Sequence, residues 1–111
     1  MTDLADQHCT ACRGDEKPFT SEEVQRFMGS LTGWEAVEDH HLVKRWELDD
    51  FVAALALANR FGEIAEEEGH HPVLEFSWGW IVAKIWSHKI DGLTLNDFVL
   101  AARFDRAAGT R

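Results

Sequence analysis

The run Gly69-His70-His71-Pro72 sets the tightest constraint on how this chain can fold. Before it, Asp49 or Asp50 caps a helix running to about Glu68, with Phe51, Leu55, Ala58 and Phe61 or Gly62 on its core face. Gly69 is a natural stop, because glycine takes left-handed backbone without steric cost. Pro72 then pushes His71 towards extended backbone. Leu74, Phe76 and Trp78 alternate with polar Glu75 and Ser77, the period of a strand. Gly79 marks a tight turn, and Trp80 to His88 returns as a second strand. The long helix must therefore give way to a hairpin within four residues.

The same order of elements occurs earlier in the chain. Thr20 and Glu23 form a capping box, and Val24, Phe27, Met28 and Leu31 follow at helical spacing until Gly33 stops the helix. Trp34 to Val37 reads as a short strand, Asp39-His40 as a turn, and His41 to Leu48 as a second strand with Leu42, Lys44, Trp46 and Leu48 on one face. At the other end, Lys89 to Leu93 is a loop. Thr94 with Asp97 is a second capping box, and Phe98, Ala101 and Ala102 form the apolar side of a last helix. The expected fold is α+β, in the order α-β-β-α-β-β-α, with a four-stranded antiparallel sheet and helices packed on one face. Both faces of the last strand are apolar, Ile81, Ala83 and Ile85 on one and Trp80, Val82 and Trp86 on the other. The second face therefore calls for a cover, from another copy of the chain or from a ligand.

Residues 1–18 are polar and aperiodic and read as a flexible arm; residues 19–111 form one domain. The arm holds both cysteines, Cys9 and Cys12, as C-x-x-C. No strand precedes them as a redox pair would require, and no second pair completes a zinc site even with His8 added, so no metal is expected and the arm is expected to be inert in catalysis. A net charge of −9 argues against nucleic-acid partners and against attachment to anionic lipid. The longest apolar run, Phe51 to Ala58, is too short to cross a bilayer, and the N-terminus lacks a secretory signal, so a cytoplasmic location is expected.

Histidine titrates near neutral pH, and the chain sets three histidines near a carboxylate: Glu66, His70, His71 and His88. Glu66 lies one helical turn before His70 and is placed to orient an imidazole, whereas Glu67 and Glu68 read as a solvated acidic turn. His70 and His71, being consecutive, point in different directions, which argues against joint chelation of one metal. His8, His40 and His41 read as surface residues, and Trp46 and Trp86 as core. Trp34, Trp78 and Trp80 are candidates to wall a pocket for a flat ligand. Asp97 is a capping residue, a role compatible with also fixing the His88 loop.

The spacing of these residues resembles the signature of the pterin-4a-carbinolamine dehydratases. It runs Glu66, three residues, His70-His71-Pro72, five residues, Trp78, nine residues, His88, eight residues, Asp97. Gly33-Trp34 and Gly92-Leu93-Thr94 extend the resemblance, which covers about residues 20–106. Glycine at 69 stands where some members carry a polar Asp or Asn, and tryptophan at 78 where many have tyrosine. The resemblance implies a 4a-hydroxytetrahydrobiopterin dehydratase, a lyase that takes 4a-hydroxytetrahydropterin to quinonoid dihydropterin and so recycles the pterin cofactor of aromatic amino-acid hydroxylases. It further implies no metal or organic cofactor, and a dimer or tetramer. By the same resemblance His70 and His88 transfer protons, His71 contacts substrate or supports the site, and Glu66 orients. Trp34, Trp78 and Asp97 lie on the substrate side. The alternative is a non-catalytic binding or assembly module on the same fold.

Overall fold

The computed structural model describes residues 3–10 and 16–109. Its elements are α1 (Ser21–Met28), β1 (Glu35–Val37), β2 (His41–Glu47), α2 (Phe51–Glu68), β3 (Val73–Ser77), β4 (Trp80–Ile85) and α3 (Leu95–Ala108), preceded by a 3₁₀ turn at Leu4–Asp6. The four strands form one antiparallel sheet, as expected, in the order β1-β2-β4-β3. Asp50 caps α2 by accepting from the Ala53 N–H (2.8 Å), and Gly69 ends it in left-handed backbone (φ 64°). No helix among the described residues is long and apolar enough to cross a membrane.

The core lies between the sheet and the helices. Leu42, Ile81, Ala83 and Ile85 meet Leu57, Phe61, Phe98 and Phe104, with Phe61 and Phe104 stacked 4.2 Å apart. The buried stripe of α2 is Ala54, Leu57, Ala58, Phe61 and Ala65. It is rotated from the expected one: Phe51 and Leu55 are largely exposed, and with Val52 they form an apolar strip on the outside of α2. The cause is the length of apolar sequence in α2, which carries two hydrophobic faces where the sheet can cover only one.

Three boundaries differ from expectation. Helix α1 ends at Met28, and successive turns, Ser30 N–H to Phe27 O and Leu31 N–H to Met28 O, carry the chain on before Gly33. The turn after β1 sits at Glu38 and Asp39, both at positive φ, the geometry of a tight hairpin. Strand β4 ends at Ile85 rather than reaching His88. The Ser87 carbonyl accepts from the N–H groups of Ile90 and Asp91, which turns the chain there, and only a Ser87–Gly92 bridge continues the pairing. Gly92 permits the preceding segment to close over this turn, since a Cβ there would lie 2.7 Å from Pro18 Cβ.

Residues 3–10, expected as a loose arm, lie along α3 instead. Arg106 pairs with Asp6 (2.6 Å), Arg103 Nη1 donates to Gln7 O (3.1 Å), and Asn96 exchanges two hydrogen bonds with Thr10. The outer face of the sheet is partly covered by its own side chains. The Arg45 guanidinium lies over Trp80, and Lys84 pairs with Glu75, leaving Trp80, Val82 and Trp86 half-buried.

Candidate active site

The histidines gather where four chain segments end: the C-terminus of α2, the start of β3, the end of β4 and the N-terminus of α3. The antiparallel register of β3 on β4 pairs Val73 with Lys84. The two histidines diverge, as consecutive residues in extended chain must.

His70 turns inward. Its Nε2 lies 2.6 Å from Asp97 Oδ1, with the histidine side chain 10% exposed and the aspartate fully buried. The other Asp97 oxygen, Oδ2, accepts from Ser87 Oγ (2.8 Å) and from the Thr94 N–H (2.8 Å). The second of these bonds is the capping bond expected of the Thr94/Asp97 pair. A carboxylate only accepts, so Nε2 carries a proton, and in the neutral imidazole Nδ1 is then the nitrogen with the lone pair. Asp97 therefore fixes the His70 tautomer as well as capping α3.

His71 turns outward and pairs with Glu66, Nε2 to Oε2 at 2.6 Å. Glu66 was expected to share a face with His70; the partner is His71, because the left-handed backbone at Gly69 reverses the chain and His70 is taken by Asp97. Both members of the His71–Glu66 pair are well exposed, so their attraction is screened by solvent. His88 is exposed on the turn after β4 and stacks on Trp86, ring centroids 4.3 Å apart at 20°. Trp86, expected as core, is partly buried against the core and also has three histidines around it, with His40 and His41 centred 5.6 and 5.9 Å from it. His40 and His41 are likewise not bare surface residues. Their Nδ1 atoms lie 3.0 Å apart, and His40 also pairs with Asp91. Burial, then the neighbouring His40 and Lys84, hold His41 below the ordinary imidazole value.

Two expected substrate residues do not join this group. Trp34 is 8% exposed and donates its indole N–H to Asp105 (2.9 Å), eight residues along α3 from Asp97, or ~12 Å of helix. It is a core residue, packed edge-on to Trp46. Trp78 is 67% exposed at the tip of the β3–β4 turn, ~16 Å of strand from the histidine end. Gly79 places it there, at positive φ, so the alternation of β3 stops at Ser77.

Sequence reasoning missed Ser87, Glu68 and Asn96. Ser87 continues the buried stripe of Ile81, Ala83 and Ile85, and a hydroxyl in that series signals a buried polar partner. The Glu68 side chain, expected to be solvated, is 3% exposed and accepts from His8 Nδ1 (2.9 Å) and the Cys9 N–H (2.7 Å). Burial acts to raise its pKa, but the bonds from His8 and Cys9 and the charge of Arg103 outweigh it, and the carboxyl is held below its usual value. Cys9 donates its thiol to Asn96 O (3.5 Å); burial, then the Glu68 and Asp97 charges, push its pKa up to about 12. A thiol so firmly protonated is a poor metal ligand at neutral pH. Cys12 lies outside the described residues. Ligand atoms of His8, Glu67 and Glu68 lie within 4.8 Å of one another, the one group of three among the described residues with metal-binding spacing, although His8 is already engaged by Glu68.

A family model described as pterin 4 alpha carbinolamine dehydratase matches residues 17–107. The chain belongs to that family. Among its relatives, a Rubrobacter xylanophilus protein named "Putative pterin-4-alpha-carbinolamine dehydratase" is 45% identical, covering 96% of this chain and 99% of its own. A protein of the same name from Chlorobaculum tepidum is 41% identical, covering 96% and 98%. The fold is shared with a crystal structure described as a transcriptional coactivator/pterin dehydratase from Brucella melitensis, with a TM-score of 0.79 and 22% identity over 84% of this chain and all of that one. It is also shared with a pterin dehydratase-like protein described as a RuBisCO assembly factor in the alpha-carboxysome, with a TM-score of 0.61 and 21% identity over 72% of this chain and 94% of that one. In this family fold, then, the His70–Asp97 pair and its neighbours occupy the meeting point of α2, α3 and the β3–β4 hairpin.

Proposed function

We propose that this chain dehydrates 4a-hydroxytetrahydropterin to quinonoid dihydropterin, serving the recycling of the pterin used by aromatic amino-acid hydroxylases in the cytoplasm. One observation carries the reading: a buried carboxylate, Asp97, bonds His70 through Nε2, which makes Nδ1 the lone-pair nitrogen of the neutral ring. In the reaction the C4a–O bond breaks and the hydroxyl leaves as water once protonated. The N5 proton departs, and its bonding pair forms the C4a=N5 double bond. His70 Nδ1 is the acceptor for the N5 proton, with Asp97 stabilising the imidazolium that forms. His88, on the exposed turn after β4, supplies the proton to the hydroxyl. His71 and Glu66 contact the substrate's polar edge, and the stacked Trp86–His88 pair offers a flat aromatic surface to a flat heterocycle. No step calls for a metal or an organic cofactor. The test is stopped-flow absorbance on freshly generated 4a-hydroxytetrahydropterin. Dehydration should accelerate in proportion to protein concentration; an unchanged rate would favour a binding or assembly module.

The chain is also expected to work as a homo-oligomer. The strip Phe51, Val52 and Leu55 on α2 is exposed, and β3 is an unpaired edge strand carrying exposed Val73. Such surfaces are liabilities unless covered. Sedimentation at micromolar concentration should give a dimer or larger; a single 12.6 kDa species would refute the assignment.

A further inference from the structure

The dehydratase reading assigns no role to residues before the domain, yet the segment His8–Thr10 is bonded to residues flanking the His70–Asp97 pair. Its contacts fall on two residues. Glu68 accepts from His8 and from the Cys9 N–H, and Glu68 stands two residues before His70. Asn96 accepts the Thr10 N–H on Oδ1 (2.9 Å), returns Nδ2 to Thr10 O (2.7 Å) and receives the Cys9 thiol on its carbonyl, and Asn96 stands one residue before Asp97. The segment thus joins the end of α2 to the start of α3, the two helix ends that carry the His70–Asp97 hydrogen bond.

Glu68 shows that this contact is built in. A carboxylate at a helix C-terminus faces the negative end of the macrodipole, an unfavourable place for it. Burying it there is tolerable only with donors to hold it, and the arm supplies two. Asn96 is likewise buried, and its amide is satisfied at both ends by one arm residue.

We infer that His8–Thr10 is a positioning element of the active site: by clamping Glu68 to Asn96 it holds His70 against Asp97 and keeps water from the pair. The inference rests on the dehydratase reading for its effect on turnover, but not for its effect on the His70–Asp97 bond. An arm that merely adds stability would leave both the bond and kcat unchanged in the folded protein.

The test uses the full chain. Cys9→Pro with Thr10→Pro removes both backbone donors of the clamp while leaving the domain sequence intact. Asn96→Ala removes the opposite side. In wild type the His70 Nε2–H proton should give a downfield NMR resonance that exchanges slowly with water, assigned by its absence from His70→Ala. In both clamp variants its exchange should accelerate at least about tenfold. Turnover should fall roughly tenfold to 10²-fold through kcat, with KM little changed, the scale of effect expected from misplacing a catalytic group. Unchanged exchange of the resonance in the folded double-proline variant would overturn the inference, as would an unchanged kcat in an active enzyme. If wild type itself proves inactive, the dehydratase reading fails, and the exchange rate alone still decides the clamp.

Discussion

His70→Ala should lower turnover by ~10²–10⁴-fold while leaving the protein folded, the range lost when a general acid or base is removed. The expectation follows from the division of labour at its ring. Nε2 is committed to Asp97, and Nδ1 is left as the one lone pair that a buried carboxylate supports. A base so placed gains in strength as the imidazolium forms, because Asp97 already faces the developing charge. His88→Ala should fall within the same range, since the leaving hydroxyl would lose its proton donor. His71→Ala should cost less in kcat and relatively more in KM: its pairing with Glu66 is exposed and screened, and such pairs are worth only ~0–1 kcal/mol. Steady-state rates beside circular dichroism check all three. Near-native turnover in folded His70→Ala and His88→Ala together would remove the acid/base assignment.

Much of this site was legible before the structure, and the parts that were not share a cause. Gly69, Pro72 and Gly79 act through local backbone geometry, so the α2 stop, the divergence of His70 and His71, and the hairpin all follow from sequence. The fold order came from periodicity and two capping boxes, which are also local. What escaped depends on long-range placement. Asp97 reads as a cap able also to fix the His88 loop, and Ser87 at the start of that loop does donate to its Oδ2; only the tertiary meeting of helix ends shows that Oδ1 serves His70. Glu66 was assigned to His70 on i, i+4 spacing, a rule that ends where the helix does. Residue type and the family resemblance together place Trp34 and Trp78 on the substrate side. Yet Trp34 is claimed by Asp105 in the core, and Trp78 is lifted to a turn by the glycine beside it. The arm reads as loose because polar, aperiodic sequence carries no signal of the partners it will meet: Glu68 and Asn96 lie about 60 and 86 residues away.

Asp97 separates stability from chemistry. Asp97→Ala would leave the Thr94 N–H and His70 Nε2 without an acceptor inside the protein, while Ser87 could still turn to Thr94 Oγ1 (3.0 Å). Each stranded buried donor costs ~1–3 kcal/mol. Against a total stability of about 5–15 kcal/mol, that should lower the melting temperature by roughly 10–20 °C. Asp97→Asn should behave differently. The Thr94 N–H and Ser87 Oγ both donate to one side of residue 97, so the asparagine carbonyl oxygen must face them and its NH₂ must face His70. A donor there opposes Nε2–H and drives the His70 proton to Nδ1, which removes the lone pair the reaction needs. The asparagine variant should therefore melt within a few degrees of wild type, yet lose turnover on the same ~10²–10⁴-fold scale as His70→Ala. Thermal melts and stopped-flow rates on the two variants decide the matter. A folded Asp97→Asn protein with wild-type turnover would show that the His70 tautomer is not what Asp97 contributes.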